Sequence, residues 1–376
     1  MEALNTADVL VVGAGIVGAC IASVLAAEGL SMQVLSDGVP GDGATAAGMG
    51  HLVVLDDDDA ELALSRWSMH LWSHCPQLAA GEYQRCGTLW LAAQPHEQGL
   101  LQAKQQRLQQ AGVTTEWLDE VALREAEPAL APGPVAGLQV PGDGVVYAPK
   151  LAKALLDDVV RQHGVRFACG SAVQQVLPHG VQCADGRRWS AGAVVLATGL
   201  RTPQLLPELP MVPRKGHLAI TERSALRVHH QVVEVGYGAS AHGSTDSLAF
   251  NLQPRPTGQL LIGSCRQVGR DNRGIDHTML GRMLQRALHF VPALADVPVL
   301  RCWTGVRPGT ADGRPCIGRW PLWPGVWVAA GHEGLGITTA MATAELLRAQ
   351  LEGRATPIDA APFDPARLLL TAEGRA

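Results

Sequence analysis

No lysine or arginine precedes Arg66, whereas ten acidic residues do. A basic n-region, a twin-arginine signal and an arginine-rich transit peptide all need early positive charge, so this opening speaks against each and predicts a cytoplasmic protein. Paired cysteines are missing as well. Cys20, Cys75, Cys86, Cys169, Cys183, Cys265, Cys302 and Cys316 are scattered, without a C-x-x-C pair. That removes the usual frameworks for zinc or an iron-sulfur cluster and predicts reduced, mostly packing thiols. There is no basic stripe and the net charge is −5, so nucleic acid is not an expected partner. Neither an internal repeat nor a long polar tail is present, and with 47% hydrophobic and 17% charged residues the chain reads as well packed. Its 376 residues exceed what one core usually supports, so two domains are expected.

The uncharged stretch 9–27 is long enough for a membrane span. Its composition argues otherwise, and no span is expected. Gly13, Gly15 and Gly18 separate an apolar run, 8–12, read as a buried parallel strand, from an Ala-rich helix, 16–28. A second strand, 32–35, follows Gly29, a helix C-cap. In that context the G-x-G-x-x-G run is a dinucleotide signature. Gly13 permits the turn, Gly15 lets a pyrophosphate approach the backbone, and Gly18 lets helix and strand pack with the anion at the helix N-terminus. One feature departs from the pattern: the ribose-binding carboxylate expected at the end of the second strand is replaced by Ser36, with Asp37 next to it. Both are candidates for the ribose.

A second strand-glycine-helix lies near the far end. Segment 326–330 reads as a strand, Gly331-His332-Glu333-Gly334-Leu335-Gly336 as a turn and 337–351 as an Ala-rich helix ending at Gly353. Its positive N-terminus suits a reduced flavin, whose negative charge gathers near N1 and the C2 carbonyl. A plain strand-turn-helix is the alternative. Two such units at opposite ends of the chain point to one large cofactor held at both ends. FAD fits that better than NAD.

Between them, 62–75 and 97–111 read as helices, 88–92 as a strand and 128–144 as a Pro/Gly-rich connection. Helix 149–163, strand 165–168, a hairpin over 173–189 and strand 193–199 follow. The last, Val194-Val195-Leu196-Ala197-Thr198-Gly199, ends in small residues, as needed where the chain passes beside a cofactor. From 211 to 300 the texture is β-rich, with a hairpin around 254–258. The expected fold is α/β: a Rossmann-like FAD-binding domain of residues 1–85, 145–210 and 301–376, interleaved with a mixed or antiparallel-sheet substrate domain of residues 86–144 and 211–300.

The ordered set Gly13-Ala14-Gly15-Ile16-Val17-Gly18, Gly43-Ala44-Thr45-Ala46-Ala47-Gly48-Met49-Gly50, Leu196-Ala197-Thr198-Gly199, Gly305-Val306-Arg307-Pro308 and Asp312-Gly313-Arg314-Pro315 resembles the D-amino-acid oxidase superfamily. The layout is similar to its glycine and sarcosine oxidase branch, over essentially the whole chain. Within the branch, 48–54 and 331–336 resemble the catalytic β subunits of D-hydroxyproline dehydrogenases. The resemblance implies a glutathione-reductase-type FAD domain. It implies FAD held by Gly13, Gly15, Ile16, Val17, Gly18, Ala44, Thr45, Ala47, Gly48, Met49, Val173, Ala197, Thr198, Gly199, Arg307, His332, Gly334, Leu335, Gly336, Ile337 and Thr338, with Ser36 or Asp37 at the ribose.

Arg307 matches the arginine that holds the substrate carboxylate in glycine oxidase relatives. A planar fork suits that task, and a structural ion pair is the alternative. The second arginine of glycine oxidase is not seen; Gly334 occupies its stretch. His51 and Met49 are implied to lie near the isoalloxazine, although a satisfied core histidine remains open for His51. His332 either bonds the flavin or caps the helix. Tyr237 and His242 either line the pocket or belong to an ordinary surface loop. Lys215 is open between oxygen reactivity and surface charge, and the acidic run 56–59 between a solvated turn and a partner contact.

The implied reaction is hydride transfer from the α carbon of a small D-imino or amino acid to flavin N5, with positioning supplying most of the catalysis. The favoured substrate is cis-4-hydroxy-D-proline, giving 1-pyrroline-4-hydroxy-2-carboxylate. The partners implied are a second flavoprotein-like subunit and a small iron-sulfur subunit. A stand-alone glycine- or sarcosine-type oxidase making peroxide is the alternative, followed by a non-catalytic flavin-binding scaffold.

Overall fold

The computed structural model describes residues 6–55, 58–236 and 246–373. Tyr237, His242, Asp56 and Asp57 lie outside the described residues.

Two large sheets organise the chain. The first has eight strands, six of them in the order Cys316–Arg319, Val326–Ala330, Arg188–Leu196, Thr6–Val12, Met32–Leu35, Arg166–Ala168. The short strands Val173–Leu177 and Gly180–Cys183 branch from Arg188–Leu196 as an antiparallel flap. Thr6–Val12 runs parallel to both neighbours, with Val12 level with Leu35 on one side and Leu196 on the other. Three strand ends therefore finish together. Side chains on one face pack on helices Ile16–Ala26, Ala148–His163 and Gly336–Glu352, and those on the other pack on the flap together with Leu205, Leu206, Leu209 and Trp320, which explains why this run is hydrophobic on both faces.

The second sheet also has eight strands, in the order Val299–Gly309, Val212–Thr221, Leu260–Val268, Ser247–Pro254, Gln231–Glu234, Thr88–Ala92, Ala136–Val140, Glu116–Asp119. Among the described residues, Gln231–Glu234 with Thr88–Ala92 is its one parallel pair. A two-stranded ladder, His51–Leu52 with Gly144–Val145, lies off both sheets.

Two expectations need correction. The Pro/Gly-rich stretch 128–144 contains the strand Ala136–Val140, paired on both sides in the middle of three strands. Flanking Pro134 and Pro141 punctuate the sequence strongly, while pairing with Thr88–Ala92 is a non-local decision. Segment 211–300 also contains the helix His277–Phe290, capped by Asp276, whose carboxylate accepts the Met279 N–H at 3.0 Å. Its buried Met279, Leu280, Met283, Ala287 and Phe290 cover one face of the second sheet, Phe290 stacking on Phe250 at 4.5 Å.

Among the described residues no helix is long and apolar enough to cross a membrane. All eight cysteines are free.

Candidate active site

A cavity of about 690 Å³ opens where the parallel strands end and runs to the edge of the second sheet. At one end stands the first glycine turn. Gly13 has φ +113°, and a Cβ there would lie 2.3 Å from the Ala197 carbonyl oxygen. Gly18 is not a lining residue: its missing Cβ would lie 2.0 Å from the Gly13 oxygen, so it brings helix and strand together. Helix Ile16–Ala26 has no side-chain cap, and Thr45 Oγ1 accepts the Ile16 N–H at 3.0 Å, tying the 44–47 turn to the helix start. A helix N-terminus without an N-cap side chain, facing a cavity, suits an anion.

Gly15, Ile16, Val17, Ala44, Thr45, Ala47, Gly48, Met49, Val173, Ala197, Thr198 and Gly199 all line this cavity. So do Ser36 and Asp37. The Ser36 hydroxyl accepts the Gly38 N–H at 3.3 Å, while the Asp37 carboxylate is ion-paired to Arg201, a lining residue with no motif to announce it.

At the far end a second uncapped helix, Gly336–Glu352, begins. His332, Gly334, Gly336 and Ile337 line the cavity there, but Leu335 and Thr338 do not. Leu335 lines a smaller neighbouring cavity of about 60 Å³. Thr338 is buried and its hydroxyl donates to the His51 carbonyl at 3.0 Å, locking this helix to the His51 strand. His332 does not cap the helix; its Nε2 sits 3.0 Å from Thr343 Oγ1, and burial pushes its pKa down to about 4.

Arg307 enters from strand Val299–Gly309, directly opposite Arg214 on Val212–Thr221. Opposed residues of an antiparallel pair share a face. Arg266, from the next strand, joins them around the Glu333 carboxylate, bonding it at 3.0 and 3.1 Å, with Arg214 at 4.0 Å. Burial raises the Glu333 carboxyl, but Arg266, Arg307 and Arg214 together with the Gly334 N–H outweigh it, and the group ends below the ordinary range. Among the described residues no ion pair takes up the Arg307 fork; its Nη1 donates to the Cys265 carbonyl at 3.1 Å. A Cβ at Gly216 would stand 2.9 Å from both guanidinium nitrogens, so glycine there makes room for the arginine.

Removing the Glu333 charge leaves Arg214 and Arg266 clustered without their shared anion. Glu333→Gln is expected to destabilise the fold by about 3–5 kcal/mol, read by chemical denaturation at neutral pH. Because the folded pKa lies below 4.5, this contribution is present above that value and is lost as pH falls through the folded pKa. The gap between wild type and Glu333→Gln should therefore close in acid; a constant gap would refute the assignment.

His51 lies at the junction of both cavities. Its Nδ1 is 2.8 Å from Gln231 Oε1 and 2.8 Å from Gln253 Nε2. Burial chiefly, with Arg307 and Arg255 against the Gln231 hydrogen bond, lowers its pKa to about 4, so the ring is neutral at physiological pH. Met49 lines the cavity against Gly263, where a Cβ would meet its sulfur at 2.8 Å.

Lys215 points elsewhere. It is 2% exposed, and its ammonium donates to Asn272 Oδ1 at 2.7 Å and to the Gly274 carbonyl, so the surface-charge alternative falls. In the acidic run, Asp58 caps helix Asp59–Ser73 and pairs with Arg314 at 2.8 Å, while Asp59 pairs with Arg107 at 2.7 Å. Sequence reasoning did not single out Arg214, Arg266 and Glu333 as a cluster, nor Gln231, Thr88 and Asp143 behind His51. Their signal is strand register, which motif spacing does not carry.

The family model described as FAD dependent oxidoreductase (DAO) matches residues 8–350. A glycine oxidase of Pseudomonas aeruginosa is 31% identical over 381 aligned residues, covering 95% of this chain and 98% of that protein. The hydrogen cyanide synthase subunit HcnC of the same organism is 29% identical, covering 67% of this chain and 59% of that protein. The crystal structure of glycine oxidase from Geobacillus kaustophilus superposes with a TM-score of 0.84 at 27% identity, covering 96% of this chain and 98% of that one.

Proposed function

The chain belongs to the DAO family of FAD-dependent oxidoreductases, and from that premise we propose that it oxidises a cyclic D-imino acid, cis-4-hydroxy-D-proline, as the catalytic subunit of a multi-subunit dehydrogenase. FAD fits the residues present. Two uncapped helix N-termini open at opposite ends of one long cavity, and the turn glycines leave its walls as bare backbone. Gly13, Gly15, Ile16 and Val17 would hold the diphosphate, Ser36 or Asp37 the ribose, and Met49, Gly334, Gly336 and Ile337 the flavin end. When bound, FAD supplies a two-electron acceptor.

The observation that carries the substrate reading is Arg307 beside Gly334. A Cβ at 334 would already touch Arg307 Cδ and Nε at 3.7 Å, so any longer side chain would crowd the guanidinium. Glycine leaves that volume to the substrate, which favours a ring over glycine itself. Arg307 takes the carboxylate in two parallel hydrogen bonds and fixes the α carbon. His51, neutral and close enough to Arg307 to feel its charge, accepts a hydrogen bond from the substrate N–H and keeps the nitrogen lone pair aimed at the α carbon. The substrate then loses a hydride from that carbon to the bound FAD, and its N–H proton through His51 to solvent, becoming the cyclic imine. The half-buried Glu333 carboxylate holds Arg214 and Arg266 in place beside the clamp.

A relative that is itself a subunit of hydrogen cyanide synthase supports association with other chains; the partners proposed are a second flavoprotein-like subunit and a small iron-sulfur subunit, in the cytoplasm. The glycine oxidase relatives favour a second reading, a stand-alone oxidase of glycine or sarcosine. Anaerobic bleaching of the flavin absorbance by cis-4-hydroxy-D-proline, beside sarcosine, glycine and L-proline, separates the two. Selective bleaching by the D-imino acid, with slow reoxidation in air, is expected. Bleaching by sarcosine or glycine with rapid peroxide release would overturn the dehydrogenase reading.

A further inference from the structure

We infer that Asp143 sets the tautomer of His51 from a distance, through Thr88 and Gln231, and so leaves His51 Nε2 as the acceptor at the substrate cavity. The inference deepens the reading above and rests on it for the position of the substrate amine.

The chain of contacts is continuous. Gln231 Oε1 is 2.8 Å from His51 Nδ1, Gln231 Nε2 donates to Thr88 Oγ1 at 3.1 Å, and Thr88 Oγ1 donates to Asp143 Oδ2 at 2.6 Å. The other carboxylate oxygen accepts the Val54 N–H at 3.0 Å. Thr88, Asp143 and Gln231 are at most 2% exposed, so water does not substitute for any link. Direction follows from donor counting. An ionised carboxylate only accepts, so Thr88 spends its single proton on Asp143. Its oxygen then takes a proton from the Gln231 amide nitrogen. That turns Gln231 Oε1 toward His51, and an oxygen there requires the ring proton on Nδ1.

One neighbour competes. Gln253 Nε2 lies 2.8 Å from the same Nδ1 and would favour the opposite tautomer by donating to it, but it lies 2.7 Å from Gln231 Oε1 and can donate there instead. The carboxylate end decides between the two arrangements. His51, Thr88 and Gln231 come from separate strands and Asp143 immediately precedes another, and the ladder His51–Leu52 with Gly144–Val145 and the pair Gln231–Glu234 with Thr88–Ala92 bring them side by side. Burial raises the Asp143 pKa to about 7, against the Thr88 and Val54 hydrogen bonds and Lys104, so the ionised form is best observed above that value.

The test is 15N NMR of the imidazole nitrogens in the purified holoprotein at about pH 8.5, with His51 assigned by the signals lost in His51→Gln. Wild type should carry the proton on Nδ1. In Asp143→Asn the Val54 N–H keeps the one remaining oxygen, the new amide donates to Thr88, and the proton order reverses along the chain, so the His51 proton should move to Nε2. The anaerobic flavin-reduction rate should fall roughly 10–100-fold, the size expected when a group orienting a functional histidine is lost, with substrate Kd nearly unchanged because Arg307 is untouched. Thr88→Ser should preserve both the tautomer and the rate. Should Asp143→Asn not fold, Thr88→Val cuts the same link and should give a mixture of tautomers. A wild-type proton on Nε2, or a tautomer unmoved by Asp143→Asn and Thr88→Val, overturns the inference. Failure of every imino acid to bleach the flavin would overturn the substrate reading alone, since the tautomer is read without turnover.

Discussion

Arg307→Ala should lower kcat/KM for substrate-dependent flavin reduction about 10²–10³-fold, or about 3–4 kcal/mol. The size follows from the setting. The guanidinium lies at the cavity wall with its Nη1 on the Cys265 carbonyl, among arginines whose shared carboxylate, Glu333, sits against Arg214 and Arg266. In the proposed reading the substrate carboxylate pairs with this fork, and without the fork the α carbon loses its fixed position. Arg307→Lys keeps the charge but not the planar pair of donors, so it should recover only part of the loss. The measurement is stopped-flow anaerobic bleaching against substrate concentration. Unchanged reduction in Arg307→Ala would sink the clamp.

Gly18→Ala should cost the protein its flavin and about 3 kcal/mol or more of stability. The added methyl would stand 2.0 Å from the Gly13 carbonyl oxygen and 3.5 Å from Ala197 Cβ. Neither neighbour can swing away: one is backbone in the turn itself, the other sits at the end of a buried parallel strand. Helix and strand must separate, and the N-terminus that faces the cavity moves with them. Gly99→Ala is the matched control. It lies in helix Gln98–Gln110 with nothing within 4 Å of the new methyl, so it should be neutral or stabilising by up to about 1 kcal/mol. Flavin-to-protein absorbance after purification and the urea midpoint read both. If Gly18→Ala retains full flavin and wild-type stability, the close-packing role is wrong.

The N-terminal turn was legible because its meaning is local. An apolar run, glycines at fixed spacing and an Ala-rich helix impose their geometry within about 30 residues, as the fingerprint does generally. Strands Met32–Leu35, Thr88–Ala92 and Val326–Ala330 begin and end where their apolar runs do. Less was visible where pairing partners lie far apart. Ala136–Val140 is a strand because Thr88–Ala92 and Glu116–Asp119 flank it, not because of its own propensity. Gly18 and Thr338 belong to the motifs that mark the cofactor, yet each serves packing between elements rather than the cavity wall.

By itself the sequence determined the chemistry on offer: a dinucleotide turn, a second helix start for the other end of the cofactor, an arginine suited to a carboxylate, and no basic run before Arg66. These are properties of residue type and short spacing, which the chain carries before it folds. Only the tertiary structure decided which groups share a face. Register across the second sheet set Arg307 opposite Arg214 and brought Arg266 to the same Glu333, and the ladder at His51 put a buried carboxylate three hydrogen bonds behind a ring nitrogen. A one-residue slip in any of those pairings would turn the side chains to the other face, and no local pattern in the sequence records which register wins.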